Sequence, residues 1–165
     1  HEIAQSIAIL SYIEKLADKN IKDPILAAKA DAITQSAQQL FSPLNPTVNF
    51  ATGDDFSSKR KAMTPFLLSV FDDLDRALKS SGRKFFVDDL PHACDFVVFH
   101  HLDLSKELDN LLIKKYPRLE KFLEDISSID SISLYLSKRP KLIDVSISPK
   151  LIIDGVAHPT GINKT

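Results

Sequence analysis

Apolar residues recur at helical spacing along most of the chain. Ile9, Leu10, Ile13, Leu16 and Ala17 share one face of the stretch 7–19, the repeat of an amphipathic helix. Ser6 stands where an N-cap hydroxyl would satisfy a free N–H. Asn20 and Pro24 stop the pattern. A second stripe of Leu26, Ala30, Ile33, Ala37, Leu40 and Phe41 predicts a helix over 25–41, ended by Pro43 and Pro46. Gly53, Asp54 and Asp55 read as a loop. Met63, Phe66, Leu67, Val70, Leu74, Ala77 and Leu78 predict a long helix over 57–81, with Gly82 placed for a left-handed C-cap. Pro65 implies a later start or a bend there.

The stretch 92–104 differs, because Ala93, Phe96, Val97, Val98, Phe99 and Leu102 wrap most of its circumference. A helix apolar nearly all round is a central, buried one. A short amphipathic helix follows over 107–114. Pro117 then opens another, with Leu119, Phe122, Leu123 and Ile126 as its inner face. A last short helix covers 130–138. Beyond Pro140, Ile143, Val145 and Ile147 alternate with polar residues as in a strand, and Asp154-Gly155 is a hairpin signal. Six or seven helices with short connections and an irregular tail predict an all-α bundle.

Composition narrows the function. The 165 residues fit one or two domains. Lys+Arg is 21 and Asp+Glu is 22, a net charge of −1. That balance argues against a general nucleic-acid binder or a polybasic membrane-surface protein. No apolar run approaches the roughly 18 residues of a membrane span. Cys94 is the single cysteine, so no internal disulfide exists and a reducing, cytoplasmic setting is expected. Only 4 glycines occur, which favours helices over turn-rich sheets. The chain opens on His1 with no signal peptide, as a mature form or a piece of a longer protein would.

Candidate chemistry is sparse. His1, His92, His100, His101 and His158 form no metal-binding spacing, so no metal is expected. Adjacent His100 and His101 face different sides of a helix, one partly buried and one in solvent. Cys94 sits in a helix first turn, where the dipole lowers a thiol pKa, yet its apolar neighbours favour inert packing. Asp72, Asp73 and Asp75 read as a solvated face, and Asp88-Asp89 as a loop before a helix start. Gln5-Ser6 is the most informative pair. A helix N-terminus suits a carboxylate, and Ser6 adds a hydroxyl and an N–H while Gln5 adds an amide.

Several segments, in order, resemble a known family. Gln5-Ser6-Ile7-Ala8-Ile9-Leu10-Ser11-Tyr12-Ile13 resembles the segment that ends the thioredoxin-like domain of cytosolic glutathione transferases. Asp31-Ala32-Ile33 resembles the "VDAI" of sigma-like members. Asp89-Leu90-Pro91-His92-Ala93-Cys94-Asp95 resembles their "D-x-P-T-x-A-D" helix start. Tyr116-Pro117-Arg118-Leu119 and Tyr135-Leu136-Ser137-Lys138-Arg139-Pro140 resemble their closing motifs.

The resemblance implies a glutathione transferase C-terminal-type helical bundle over 25–140, preceded by a linker at 21–24 and by the last helix of a truncated thioredoxin-like domain at 1–20, with a tail at 141–165. It implies a parent enzyme that joins the glutathione thiol to a hydrophobic electrophile or acts on peroxide-like substrates. The parent is expected to be a homodimer. Gln5 and Ser6 would hold the γ-glutamyl group. The thiol-activating Tyr or Ser is expected upstream of His1, so the chain alone is expected to be inactive. Helical Tyr12, Tyr116 and Tyr135 do not match that position. Sigma-like members carry an acidic residue that reaches the glutathione amine of the partner subunit, and Gln38 and Gln39 occupy that neighbourhood here. A neutral amide could accept from an ammonium without charge-assisted strength. His92 replaces the usual Thr/Ser cap, which weakens it by about 1 kcal/mol, while Asp95 is kept. The first helix, without its sheet, is expected to bury only part of its stripe. The alternative is a non-catalytic transferase-like module for protein assembly.

Overall fold

A computed structural model describes residues 2–160. His1 and residues 161–165 of the expected tail lie outside the described residues. The helices are α1 (Ser6–Leu16), α2 (Pro24–Gln38), α3 (Phe41–Phe50), α4 (Gly53–Ser81), α5 (Ala93–Ile113), α6 (Pro117–Ser127) and α7 (Asp130–Lys138). The strands are β1 (Lys141–Ile143), β2 (Lys150–Ile153) and β3 (Val156–Pro159). The all-α bundle is therefore as expected, with a small antiparallel sheet in the order β1-β2-β3 behind it.

Helix α5 is the centre. It packs against α1, α2, α3, α4 and α6, and Val98 and Leu102 are fully enclosed. This matches an apolar pattern that leaves no solvent stripe. Helix α6 begins on Pro117 and buries Leu119, Phe122, Leu123 and Ile126, all at 5% exposure or less.

Four local expectations need correction. Ser6 is the first residue of α1, not its cap: Gln5 holds the N-cap position with φ 74° and makes no side-chain cap bond. Pro43 and Pro46 do not end a helix. Helix α2 stops at Gln38, and α3 starts afresh at Phe41 and runs through both prolines. Pro43 lies in the first turn of α3, where a missing N–H is harmless. Pro46 does forgo a bond, and burial of Leu44, Thr47 and Val48 offsets the loss. Gly53, Asp54 and Asp55 form the first turn of α4 rather than a loop, with both carboxylates at the positive end of the helix dipole. The two helices expected over 92–104 and 107–114 meet at a break within α5, but that break lies at Asp109, with φ −164° and ψ 106°, rather than at 105–106. The Asp109 carboxylate accepts the Leu111 N–H at 2.9 Å and pairs with Arg60, which stabilises the break.

The tail splits the same way. The expected alternation over 143–147 fails, because Asp144 and Ser146 take left-handed φ values of 55° and 72° and turn the chain. The Asp154-Gly155 hairpin is present between β2 and β3, with φ 49° and 80° as a tight two-residue turn needs. Gly82 takes the expected left-handed conformation after α4.

Helix α1 has no buried residue. Ile7 and Leu10 lean on the core, whereas Ile9, Ile13 and Leu16 are 40%, 53% and 67% exposed. The stripe is thus only partly buried, as expected.

Candidate functional site

The head of α1 opens into a cleft of about 370 Å³ that brings together Gln5, Ser6 and Gln38 with Phe41, Phe96 and His101. Three local decisions build it. Left-handed Gln5 turns the chain sharply into α1, leaving the Ser6 hydroxyl free of capping and the first-turn N–H groups without helical acceptors. The end of α2 supplies Gln38, and the restart at Phe41 supplies an aromatic wall. Central α5 forms the floor. Gln39 is exposed and is not part of this cleft.

His101 lies under the cleft at 2% exposure. Its Nε2 is 3.2 Å from Gln38 Oε1, and Phe41 meets its ring edge-on with centroids 6.2 Å apart. Burial, with a smaller contribution from His100, lowers its pKa to about 4, so the ring is neutral near pH 7. The expected division of the two histidines holds: His100 is exposed and His101 buried. The sequence reading did not single out Gln38–His101 as a pair. An imidazole at a buried turn of an apolar helix was the signal available.

A second cleft, of about 530 Å³, adjoins the first through His100. Its walls include Asn45, Asn49, Asp103, Arg139 and Leu142. Asp103 is 2.6 Å from Arg139 and 2.6 Å from Lys106. Burial works against its charge, but those two cations outweigh burial and hold its pKa below the usual range. The tail lines this cleft through β1 and Leu151. Thr160 ties the end of the sheet down: its hydroxyl donates to the Asn49 carbonyl and its N–H to the Pro149 carbonyl at 3.2 Å.

The joint between α1 and α5 is polar. Glu14 Oε1 accepts the Ala93 N–H at 3.0 Å and lies 3.2 Å from His92 Nδ1. His92 Nε2 is 3.0 Å from Asp88. Asp95 accepts the N–H of His92 at 2.8 Å and of Phe86 at 3.0 Å. The weak cap expected at His92 is thus compensated from another helix. Burial opposes charge on His92, but its contacts with Asp88 and Glu14 prevail and raise its pKa. Cys94 is buried, and burial together with Asp95 pushes its thiol far up, which agrees with inert packing. Asp72 and Asp73 are exposed, and Asp75 pairs with Arg118 at 2.9 Å.

Residues 43–139 match the family described as glutathione S-transferase, C-terminal domain. No curated protein matches the chain. Among solved structures it is similar to the glutathione S-transferase Blo t 8, with 15% identity and a TM-score of 0.73, over 81% of this chain and 62% of that one. It is similar to the Pi-class glutathione S-transferase of Onchocerca volvulus, with 19% identity and a TM-score of 0.73, over 84% of this chain and 66% of that one. NaGST-2 aligns with 19% identity and a TM-score of 0.75, over 86% of this chain and 70% of that one. The chain thus spans less than two thirds of the first two. Among the described residues, no helix is long and apolar enough to cross a membrane.

Proposed function

Because the chain belongs to the glutathione S-transferase family through its C-terminal domain, we propose that the cleft at the head of α1 holds the γ-glutamyl end of glutathione. Gln5 and Ser6 are its binding residues. The observation that carries this reading is the backbone of Gln5, held at φ 74° directly before the helix. Such strain amounts to about 1–3 kcal/mol and clusters at ligand sites. Here it leaves a hydroxyl and the first-turn N–H groups free at the positive end of a helix, which suits a carboxylate.

In this reading the second cleft receives the electrophile, with α3, α5 and the tail as its walls. The reaction is attack of the glutathione thiolate on an electrophilic carbon, or turnover of a peroxide-like substrate. The described tyrosines do not suit thiol activation. Tyr12 and Tyr135 are 48% and 61% exposed and outside both clefts. The Tyr116 hydroxyl donates to Asp72 at 2.8 Å, and burial with that carboxylate raises its pKa to about 12. As the family resemblance implies, this proposal gives the activating Tyr or Ser to a thioredoxin-like domain, of which 1–20 is the last part and 21–24 the linker. Ile9, Ile13 and Leu16 supply an apolar face for its sheet. A sigma-like, cytoplasmic, homodimeric detoxification enzyme is the full proposal. Gln38 belongs to this chain's own cleft, so in this proposal exposed Gln39 is the residue left to reach a partner's ligand.

Retention of the parent protein on immobilised glutathione tests the site. The double variant Gln5→Ala, Ser6→Ala is expected to elute early, and undiminished retention overturns the assignment. The chain alone is expected to leave the conjugation of a chromogenic aryl halide at its uncatalysed rate. Turnover above that rate means that the activating group lies within it.

A further inference from the structure

Among the described residues, His101 Nδ1 is a buried side-chain nitrogen with no hydrogen-bond partner. The other ring nitrogen explains the arrangement. Nε2 faces the Gln38 amide oxygen at 3.2 Å, and an amide oxygen only accepts. Nε2 therefore carries the proton, and Nδ1 keeps a bare lone pair in the interior.

This contact engages one lone pair of the Gln38 oxygen, fixes the amide plane and leaves its NH2 group for a ligand. Both side chains line the cleft with Gln5 and Ser6, and no Asp or Glu does so. An ammonium would find no charged acceptor there. A carboxylate would find the Ser6 hydroxyl, the N–H groups at the head of α1 and the Gln38 amide. We propose that His101 is a positioning residue that makes Gln38 a fixed hydrogen-bond donor, so that Gln38 reads the carboxylate of a γ-glutamyl ligand and not its ammonium. The proposal rests on the glutathione reading above and names the end of the ligand that Gln38 recognises. It reverses the polarity expected at Gln38 from sequence, because the oxygen is turned towards His101 and the NH2 group is the part left uncommitted.

The test titrates the chain with glutathione and with two analogues, one lacking the α-amine and one lacking the α-carboxylate, followed by NMR. The des-amino analogue is expected to bind within about threefold of glutathione, and the decarboxylated one about tenfold or more weaker, since hydrogen bonds to charged groups are the strong ones. His101→Phe keeps the ring volume and removes the donor, so the carboxylate preference should fall to about threefold. His101→Gln, which restores an N–H, should recover it. Gln38→Glu should favour the amine-bearing analogue.

A preference unchanged in His101→Phe and Gln38→Glu overturns the proposal while leaving the glutathione reading intact. Failure of glutathione itself to bind overturns both. The imidazole nitrogen shifts of the unmodified chain give a measurement independent of the variants. The Nε2-protonated tautomer supports the proposal, and the Nδ1-protonated tautomer overturns it.

Discussion

Glu14 caps a helix that begins 79 residues further along the chain: its carboxylate accepts the Ala93 N–H at 3.0 Å. One side chain thus closes the first turn of α5 and fastens α1 to the bundle. Glu14→Ala should destabilise the fold by about 1 kcal/mol, the usual value of a helix cap. Combined with His92→Ala, the loss should be less than additive, because the two side chains share one contact. Chemical denaturation of the single and double variants checks this, and strict additivity would refute the coupling.

His92 gives the joint a pH dependence of defined sign. Its folded pKa is raised above its ordinary value. The stabilisation is therefore fully present below about pH 6.5, its unfolded value, and is lost as pH rises through the folded value. The facing groups are Glu14, Asp88 and Asp95, with Arg83 beside Asp88. Thermal unfolding of the chain and of His92→Thr should give curves that converge at alkaline pH and diverge at acid pH. Parallel curves would remove His92 as the cause.

His101 works in the opposite direction. Its folded pKa, about 4, lies below the ordinary value, so the unfolded chain takes up a proton first as pH falls below 6.5. His101 then erodes stability between about pH 6.5 and pH 4. His101→Phe should flatten that decline, measured as melting temperature from pH 7 to pH 4.5. An equally steep decline in the variant would place the titration elsewhere.

Pro46 is a built-in loss. It sits inside α3 without an N–H to give, so Pro46→Ala should stabilise the chain by about 1–3 kcal/mol if the recovered helical bond outweighs the freer unfolded chain. Urea unfolding decides it, and a destabilised variant would mean that the ring is needed where it lies beside Met63 and Phe66.

The residues that were legible from sequence share one property: their partners are local or their faces are periodic. Gly82, Pro117, the α6 stripe and the Asp154-Gly155 turn each follow from a rule spanning a few positions. What escaped was decided at a distance. Prolines 43 and 46 signal an end, and only the burial of Leu44 and Val48 against α5 carries the helix through. The alternation at 143–147 is overridden where Gly53 N–H donates to the Ser146 carbonyl at 2.7 Å, holding the tail against the start of α4. In the cleft, Gln5-Ser6 was legible as the head of a helix because that signal is local, although the cap position itself falls on Gln5. The Gln38–His101 contact spans 63 positions and carries no pattern.

The cap from Glu14 also orders events in time. A helix normally signals its own start with a neighbouring side chain, available as soon as the segment exists. At α5 a local signal of that kind, Asp95 accepting the His92 N–H, is joined by one from Glu14 that forms only when a loop of 79 residues closes, an entropic step that short-range contacts do not require. The first turn of α5 is therefore begun by its own sequence and completed by the docking of α1, so that loosening α1 leaves the Ala93 N–H without its acceptor.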